Sequence, residues 1–174
     1  MTAAAVIGGS AMTFMASTAY AVPAEPTGST HATDGAPTVS ADQNYELVLE
    51  WGGRCLEEWG GSVYQWDCHG GDHQQWRFVS KGDGYYQIVN KRDGLCLDVY
   101  GGSPQNGTSV VGAGCHEGKW QQWSLNFVGA ARYELVARHS GRCLDIAHGG
   151  NGSKALQWDC HHGGNQRWYI NEER

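Results

Sequence analysis

The sequence predicts an all-β fold built from three repeated units. Three observations support this fold class. A set of motifs recurs at intervals of 41 to 47 residues, short runs alternate apolar and polar residues, and the chain contains 26 glycines. The repeated part shows no sustained i, i+3, i+4, i+7 apolar pattern, which would indicate an amphipathic helix. A repeat of this length usually fixes the architecture, because each unit buries its apolar face against its neighbours.

Every repeat contains the same motifs in the same order. A glycine-containing turn is followed by Cys-Leu-Asp or Cys-Leu-Glu, then by Cys-His, and finally by Gln-x-Trp. The three copies are Cys55-Leu56-Glu57, Cys68-His69 and Gln74-Gln75-Trp76; Cys96-Leu97-Asp98, Cys115-His116 and Gln121-Gln122-Trp123; and Cys143-Leu144-Asp145, Cys160-His161 and Gln166-Arg167-Trp168.

Four strands are predicted in each repeat. In the first repeat, Tyr45, Leu47 and Leu49 alternate with polar neighbours, which is typical of a half-buried strand. The Gly52-Gly53 turn permits positive φ and reverses the chain into the Cys-Leu strand. A third short strand enters the Cys-His segment, and a fourth carries Gln-x-Trp onward. The other two repeats follow the same plan.

Twelve strands in three equivalent units around one shared core describe a β-trefoil. Its symmetric core positions are predicted to hold one leucine and one tryptophan from each repeat. We expect these tryptophans to fill the core rather than to contact a ligand. The predicted core residues are Leu56, Leu97, Leu144, Trp76, Trp123 and Trp168.

Six cysteines permit 15 pairings in principle. Any pairing that respects the repeat joins the two cysteines within one unit, so we expect Cys55 with Cys68, Cys96 with Cys115, and Cys143 with Cys160. The alternative is that the three Cys-His pairs bind zinc. Evenly spaced cysteines in an exported chain favour disulfides, so we predict no metal site and no cofactor.

The N-terminal segment differs from the repeats. Residues 1–21 carry no charge, contain an apolar run and end in Ala19-Tyr20-Ala21, as a secretory signal peptide does. The alternative, a membrane anchor, needs about 20 consecutive apolar residues, and Gly, Ser and Thr interrupt this run. No basic residue precedes it, so we expect the translation start to lie upstream. Residues 22–43 are predicted to be a disordered linker, followed by a domain at 44–174 with repeats at about 44–84, 85–130 and 131–174.

The charge pattern makes two classes of partner unexpected. The net charge is −6, and no cluster of Lys and Arg provides the electrostatic footprint of a nucleic-acid or anionic-membrane binder. We therefore expect no nucleic-acid partner and no membrane insertion. The repeated part is long enough for one domain, and we expect a secreted, extracellular monomer.

The three motif sets resemble the ricin B-type, or Gln-x-Trp, lectins, which are also known as family-13 carbohydrate-binding modules. The resemblance covers about Asn44 to Arg174. It implies one shallow sugar pocket per repeat, built from the acid after Cys-Leu, an aromatic residue two positions before the second cysteine, and the Asn-Gln before x-Trp. A carboxylate and amides hydrogen-bond sugar hydroxyls, and an aromatic ring covers the apolar side of a pyranose.

The third repeat matches this pattern completely, and the first matches it in part. The implied sugar-binding residues of the third repeat are Asp145, Trp158, Asn165 and Gln166. The first repeat keeps the aromatic residue and the glutamine, but it has Glu for Asp and His for Asn. Its candidate residues are Glu57, Trp66, His73 and Gln74.

The second repeat lacks two parts of the pattern. Asp98 and Gln121 are present, but Ala113 replaces the aromatic residue and Trp120 replaces the asparagine. We expect weak binding or none there, and Asp98 is read as a structural acid that caps a turn or strand. Trp59 and Tyr100 stand two positions after the acid in their repeats and fit either rim contacts or covered surface.

The resemblance implies a non-catalytic lectin for galactose-type glycans, or alternatively for xylan or arabinan. The sequence also allows two other functions. The first is a β-trefoil scaffold that binds or inhibits a protein, since fold alone does not fix function. The second is a glycoside hydrolase, which needs two facing carboxylates. Glu57-Glu58 and Glu172-Glu173 are the adjacent acid pairs, but neighbours on a strand point to opposite faces.

Overall fold

The computed structural model describes residues 1–2 and 39–173. The predicted signal peptide and most of the predicted linker lie outside the described residues. At the end of the linker segment, Val39 packs against the core and the Ser40 N–H donates to the Tyr45 hydroxyl at 2.8 Å. In the described part of the chain, no helix has the length and apolar character needed to cross a membrane.

Twelve β-strands account for the regular structure of the described residues, with single 3₁₀ turns between some of them, and the predicted all-β class is confirmed. The alternating apolar residues of each repeat form its first strand, and glycines occupy the tight turns. The strands are β1 Asn44–Leu49, β2 Cys55–Trp59, β3 Ser62–Trp66, β4 Gln75–Ser80, β5 Tyr85–Asn90, β6 Cys96–Val99, β7 Val110–Ala113, β8 Trp123–Phe127, β9 Arg132–Ala137, β10 Cys143–Ile146, β11 Ala155–Trp158 and β12 Trp168–Glu172.

Six strands close into a barrel, two from each repeat. β1 pairs with β4, β4 with β5, β5 with β8, β8 with β9, β9 with β12, and β12 with β1, and every pair is antiparallel. Closure leaves no free sheet edge in this layer. The fourth strand of each repeat carries the core tryptophan into the barrel, which explains why Gln-x-Trp recurs in register.

The other six strands form three hairpins, β2–β3, β6–β7 and β10–β11. These hairpins meet one another through a β3–β7 pairing at Ser62 and Val111 and through isolated bridges from Tyr64 to Lys154 and from Ser109 to Leu156. A six-stranded barrel with three hairpins in threefold arrangement confirms the predicted β-trefoil.

The predicted core is also confirmed. The tryptophan and leucine of each repeat are completely buried. Each indole N–H donates to the carbonyl of the leucine in its own repeat, at 3.0 Å from Trp76 and from Trp123 and at 3.5 Å from Trp168. A buried Trp needs such a partner for its ring nitrogen. The core residues therefore also fix the distance between the second and fourth strands.

The three predicted disulfides are present, at Cys55–Cys68, Cys96–Cys115 and Cys143–Cys160. In every pair the Cα atoms are 5.1 Å apart, and the described residues include no free cysteine. The Cys-His zinc alternative is therefore wrong, because a disulfide sulfur is not a thiolate ligand. Each disulfide ties the start of the second strand to the segment that precedes Gln-x-Trp.

One buried position breaks the threefold pattern of the core. Glu58 is fully buried where the other repeats place Val99 and Ile146. Its Oε1 accepts the Gly61 N–H at 2.6 Å, while its Oε2 accepts no hydrogen bond from the described residues. Burial raises the pKa of this carboxyl, and the nearby Asp93 carboxyl raises it further. The side chain also packs against Gly112, where a Cβ would come within 2.8 Å of Glu58 Cγ.

Candidate functional site

The third repeat holds a buried, preoriented carboxylate on β10. Asp145 is 5% exposed; its Oδ1 accepts from Asn165 Nδ2 at 2.9 Å and its Oδ2 from Gln166 Nε2 at 2.7 Å. His161 Nε2 lies 3.2 Å from Oδ2, and its Nδ1 accepts the Gly163 N–H at 3.2 Å. The ring proton is therefore assigned to Nε2, which donates to Asp145. A carboxylate has about four acceptor positions, and this network leaves one free on Oδ1.

An aromatic side chain lies beside this carboxylate. Trp158 on β11 is 43% exposed, and it lines a cavity of about 380 Å³ together with Asp145, Asn165 and His161. The volume falls within the range of small-molecule sites. The cavity therefore combines a polar group with a free acceptor position and an open aromatic face, which are the two parts that a pyranose ring needs.

The motif glutamine has the same structural task in all three repeats. It is completely buried, its Nε2 donates to the acid of the repeat at 2.7 Å, and its Oε1 accepts the backbone N–H of the Cys-His histidine at 2.8 to 2.9 Å. Its Nε2 also donates to a loop carbonyl at 3.0 to 3.1 Å. These amides therefore hold the acid in place from below. The three residues are Gln74, Gln121 and Gln166.

A loop of the second repeat supports Trp158. Gly107 approaches the indole so closely that a Cβ there would lie 3.4 Å from the ring. The loop is held by Asn106, which accepts from Arg142 Nε at 2.6 Å and donates to Asp159 Oδ2 at 2.7 Å. The third-repeat pocket is thus built from two repeats, a feature that the motif pattern does not reveal.

A second aromatic side chain, from the first repeat, borders the same pocket. Trp51, in the turn between β1 and β2, is 59% exposed and meets the His148 ring edge-on at 5.6 Å. It lines a neighbouring cavity of about 300 Å³ that shares His148 and Asn165 with the Trp158 cavity. The two cavities adjoin at these shared residues, and together they are called the groove; Trp158 lines one cavity and Trp51 the other. Sequence reasoning missed Trp51, whose only signal was a large aromatic residue in a Gly-rich turn.

The first repeat has a different arrangement around its acid. Glu57 Oε2 accepts from Gln74 Nε2 at 2.7 Å and lies 3.2 Å from His69 Nε2. Its Oε1 accepts from the Tyr64 hydroxyl at 3.2 Å and lies 3.9 Å from His73 Nε2. Burial raises the pKa of Tyr64 to about 12, with the Glu57 charge and hydrogen bond as further causes. The phenol is therefore protonated at physiological pH and donates a hydrogen bond to Glu57.

Tyr64 separates the first-repeat acid from its aromatic platform. The phenol ring meets Trp66 edge-on at 6.1 Å. Trp66 is 41% exposed and lines a cavity of about 300 Å³ with Tyr64, and Glu57 is not among the described residues that line it. The third repeat has Leu156 at the position of Tyr64, across the hairpin from Asp145. Sequence reasoning considered the motif residues and missed this position.

The second repeat keeps the acid without the pocket. Asp98 Oδ2 accepts from Gln121 Nε2 at 2.7 Å and lies 3.4 Å from His116 Nε2, and burial raises the pKa of Asp98. Trp120 packs against the His116 ring at 5.1 Å and against the core. Ala113 occupies the position that Trp158 has in the third repeat, so the second repeat has no aromatic platform at this position.

The geometry fits binding better than hydrolysis. Asp145 supplies the only carboxylate among the described residues that line the Trp158 cavity, whereas glycoside hydrolysis needs two carboxylates across the bond. In the first repeat, Glu57 and Glu58 are adjacent on β2, and Glu58 is buried beneath the hairpin. The site offers hydrogen bonds and an aromatic face, which are the requirements of reversible sugar recognition.

The fold and the buried acid that a motif glutamine holds in each of the three repeats define a β-trefoil domain of the lectin class. Residues 84–174 match the family described as "Ricin-type beta-trefoil lectin domain", and residues 32–112 match the one described as "Ricin-type beta-trefoil lectin domain-like". The chain belongs to the ricin-type β-trefoil lectin family. No protein of curated function matches it.

Solved structures with the same fold include a designed protein and natural ones. The designed threefold-symmetric protein ThreeFoil is 38% identical, with 74% of this chain and 97% of that chain covered and a TM-score of 0.72. An exo-β-1,3-galactanase from Clostridium thermocellum is 28% identical, with 77% of this chain but 31% of the enzyme covered and a TM-score of 0.73.

A ricin B-like lectin from Macrolepiota procera, solved in complex with lactose, is 22% identical, with 78% of this chain and 99% of that chain covered and a TM-score of 0.68. At this identity the likeness shows the shared fold. Family and fold together support carbohydrate binding by this chain.

Proposed function

We propose that this protein is a secreted, non-catalytic lectin whose principal sugar site is the third-repeat pocket. The observation that carries the proposal is Asp145, a buried carboxylate held by three donors, in one cavity with the exposed ring of Trp158. Its free acceptor position and the Asn165 amide would bind adjacent sugar hydroxyls. The indole would cover the apolar side of the ring.

Galactose-type glycans are the proposed ligands, with xylan and arabinan as alternatives. A galactose ring presents a continuous C–H face that an indole can cover, because its axial hydroxyl points to the opposite face. The names of two similar structures support this choice, since one is a galactanase and the other was solved with lactose. Secretion is proposed from the signal-like N-terminus and from three disulfides, which persist in oxidising compartments.

The ligand is proposed to be longer than one sugar. The groove continues from Trp158 past Asn165 to Trp51, and Trp51 is exposed enough to stack against a second ring. A shallow pocket for one sugar is expected to bind with a dissociation constant of about 0.1–1 mM, or roughly −4 to −5.5 kcal/mol. A contact at Trp51 would add affinity for chains over monosaccharides.

The first repeat is proposed as a weaker, altered pocket and the second as inactive. In the first, Gln74 holds Glu57, and His73 stands where the third repeat has Asn165, but Tyr64 separates the acid from Trp66. In the second, no aromatic platform is present. We therefore expect one strong sugar site per chain.

Binding to glycan and polysaccharide arrays tests the proposal, with Asp145→Asn and Trp158→Ala as variants. Each should reduce binding by about 100-fold or more, because a hydrogen-bonded hydroxyl or the stacking platform is lost. Asp98→Asn is the matched control, since it makes the same change at the equivalent buried acid. Binding that survives both third-repeat variants would contradict the proposal. The absence of any glycan ligand would favour a protein-binding scaffold instead.

A further inference from the structure

Two histidines and a carboxylate converge in the first repeat. His69 Nε2 lies 3.2 Å from His73 Nε2 and 3.2 Å from Glu57 Oε2, and His73 Nε2 lies 3.9 Å from Glu57 Oε1. Three potential ligand atoms thus lie within 4.8 Å of one another. We propose that Glu57, His69 and His73 bind a divalent transition-metal ion, for which zinc is the probe. The inference does not depend on sugar binding and goes beyond it.

The spacing of the donors fits a tetrahedral ion. Zinc binds His nitrogen at about 2.0–2.1 Å and carboxylate oxygen at about 2.0–2.2 Å, so donors in a tetrahedral site lie about 3.3 Å apart. The two 3.2 Å separations around His69 Nε2 correspond to two edges of such a tetrahedron. Three protein donors leave the fourth position for water. Imidazole and carboxylate ligands suit zinc and its neighbours in the transition series.

His69 has one ring proton for two acceptors. Its Nδ1 accepts the Gly71 N–H, so the proton is assigned to Nε2, which lies 3.2 Å from both Glu57 Oε2 and His73 Nε2. An ion placed between the rings would accept a lone pair from each ring once the His69 proton moves to Nδ1. It would also neutralise the Glu57 charge, which is only 7% exposed.

The ligand set occurs in the first repeat alone. The third repeat has His161 at the position of His69 but Asn165 at the position of His73. The second repeat has His116 and, at the other position, Trp120. The two motif substitutions of the first repeat, Glu for Asp and His for Asn, therefore act together. One lengthens the carboxylate arm and the other supplies a second nitrogen.

Neighbouring groups hold the ligands in place, as they do around established metal sites. Glu57 is fixed by the amide of Gln74 at 2.7 Å and by the hydroxyl of Tyr64 at 3.2 Å. The His73 carbonyl accepts from Asn90 Nδ2 at 3.1 Å, and the His73 ring packs edge-on against Trp59 at 5.3 Å. The His69 side chain is 40% exposed, so an ion can enter from solvent.

Metal binding has one identifiable cost. His69 Nδ1 accepts the Gly71 N–H at 3.2 Å, and coordination through Nε2 would place the ring proton on Nδ1. That hydrogen bond is then lost, which costs about 1 kcal/mol. Gly70 and Gly71 precede the 3₁₀ turn, and this glycine pair allows the peptide to rotate. A second group, Glu134 with Cys143 and Cys160, carries no proposal because its cysteines form a disulfide.

Titration of the tag-free protein with zinc chloride by calorimetry tests the site, with cobalt(II) absorption as the reporter of tetrahedral geometry. We expect one equivalent of zinc per chain. His73→Asn, which installs the residue found in the third repeat, should weaken binding by about 100-fold or more. His116→Asn is the matched control, because it removes the equivalent histidine of a repeat with no second nitrogen, and it should leave zinc affinity unchanged.

Equal zinc binding by the His73→Asn variant would overturn the proposal, as would equal losses in the His73→Asn and His116→Asn variants or an octahedral cobalt spectrum. Glu57→Gln provides a second variant. It should weaken zinc binding, because it removes the charged ligand oxygen, while its side-chain carbonyl can still accept the hydrogen bond from Gln74. An unchanged circular-dichroism spectrum and an unchanged midpoint of thermal unfolding in the absence of metal show that the His73→Asn variant is folded. Because the third-repeat pocket does not share these ligands, failure of the metal site leaves the lectin proposal intact.

Discussion

The third and second repeats have the same strands, disulfide, buried glutamine and core tryptophan, yet only the third forms an open pocket. The difference lies in what the neighbouring repeat contributes. Gln157 of the third-repeat hairpin donates to the carbonyls of Ser103 and Gln105 at 2.7 and 2.9 Å, which holds the second-repeat loop beside Trp158. In the second repeat the equivalent hairpin residue is Gly112. The comparison teaches that a trefoil pocket belongs to a junction between repeats.

The first repeat supports this interpretation because its junction is built like that of the third. Gln65 donates to the carbonyls of Gly149 and Gly150 at 2.8 and 2.9 Å. The Arg54, Asp67 and Asn151 side chains form the same network as Arg142, Asp159 and Asn106. At the remaining junction the short Gly60-Gly61 turn replaces the long loop.

The largest expected effect comes from the motif glutamines. Gln166→Leu and Gln121→Leu should each lower the free energy of unfolding by about 3 kcal/mol, because each leaves a buried carboxylate, an N–H and a carbonyl without their partner. Only Gln166→Leu should also weaken sugar binding, since Gln166 orients Asp145 while Gln121 orients an acid with no pocket. Urea unfolding and calorimetric sugar titration would measure the two effects. Loss of sugar binding in both variants would show that the second repeat also contributes to sugar binding or that the two substitutions act through loss of the fold.

Much of the fold was predictable from the sequence, because the residues that determine it lie close together within each repeat. The strand alternation, the cysteine pairs and the core tryptophans act within one unit, and three copies reinforce one another. The contributions of Trp51 and Tyr64 were not predictable. Trp51 acts across a junction that lies far away in sequence, and Tyr64 stands at a position that the motifs leave unspecified. Glu58 was equally hidden, since an acid after an acid on a strand resembles an exposed pair.

A smaller effect is expected at the junction between the first and third repeats. Trp51→Ala should weaken binding of an oligosaccharide by about 10-fold, a loss near 1.4 kcal/mol, and should leave monosaccharide affinity unchanged. The reason is that Trp51 lies at the far end of the groove from Trp158. Trp59→Ala is the matched control, since it removes another half-exposed tryptophan, 52% exposed, that lines neither the Trp158 cavity nor the Trp51 cavity. Equal losses for monosaccharide and oligosaccharide would place Trp51 in the primary pocket instead.

The smallest effect concerns Glu58, which fills the junction that lacks a long loop. Burial raises its pKa in the folded protein above the ordinary value of 4.5, so the folded protein retains this proton at pH values where the unfolded chain has lost it. Stability from this group is therefore fully present below pH 4.5 and is lost as the pH rises through the folded pKa. Glu58→Gln keeps an acceptor for the Gly61 N–H and removes the charge.

The Glu58→Gln variant should therefore be more stable than the parent by about 1 kcal/mol at pH 7, because only the parent loses stability as the pH rises above the ordinary carboxyl value. At pH 4 the two proteins should differ little, because protonated Glu58 and glutamine are both neutral. Thermal unfolding at the two pH values measures the difference, with the exposed Glu172→Gln as control. A gain of equal size at both pH values would mean that folding does not raise the pKa of Glu58. The burial of this acid at the loop-free junction would then carry no pH-dependent cost.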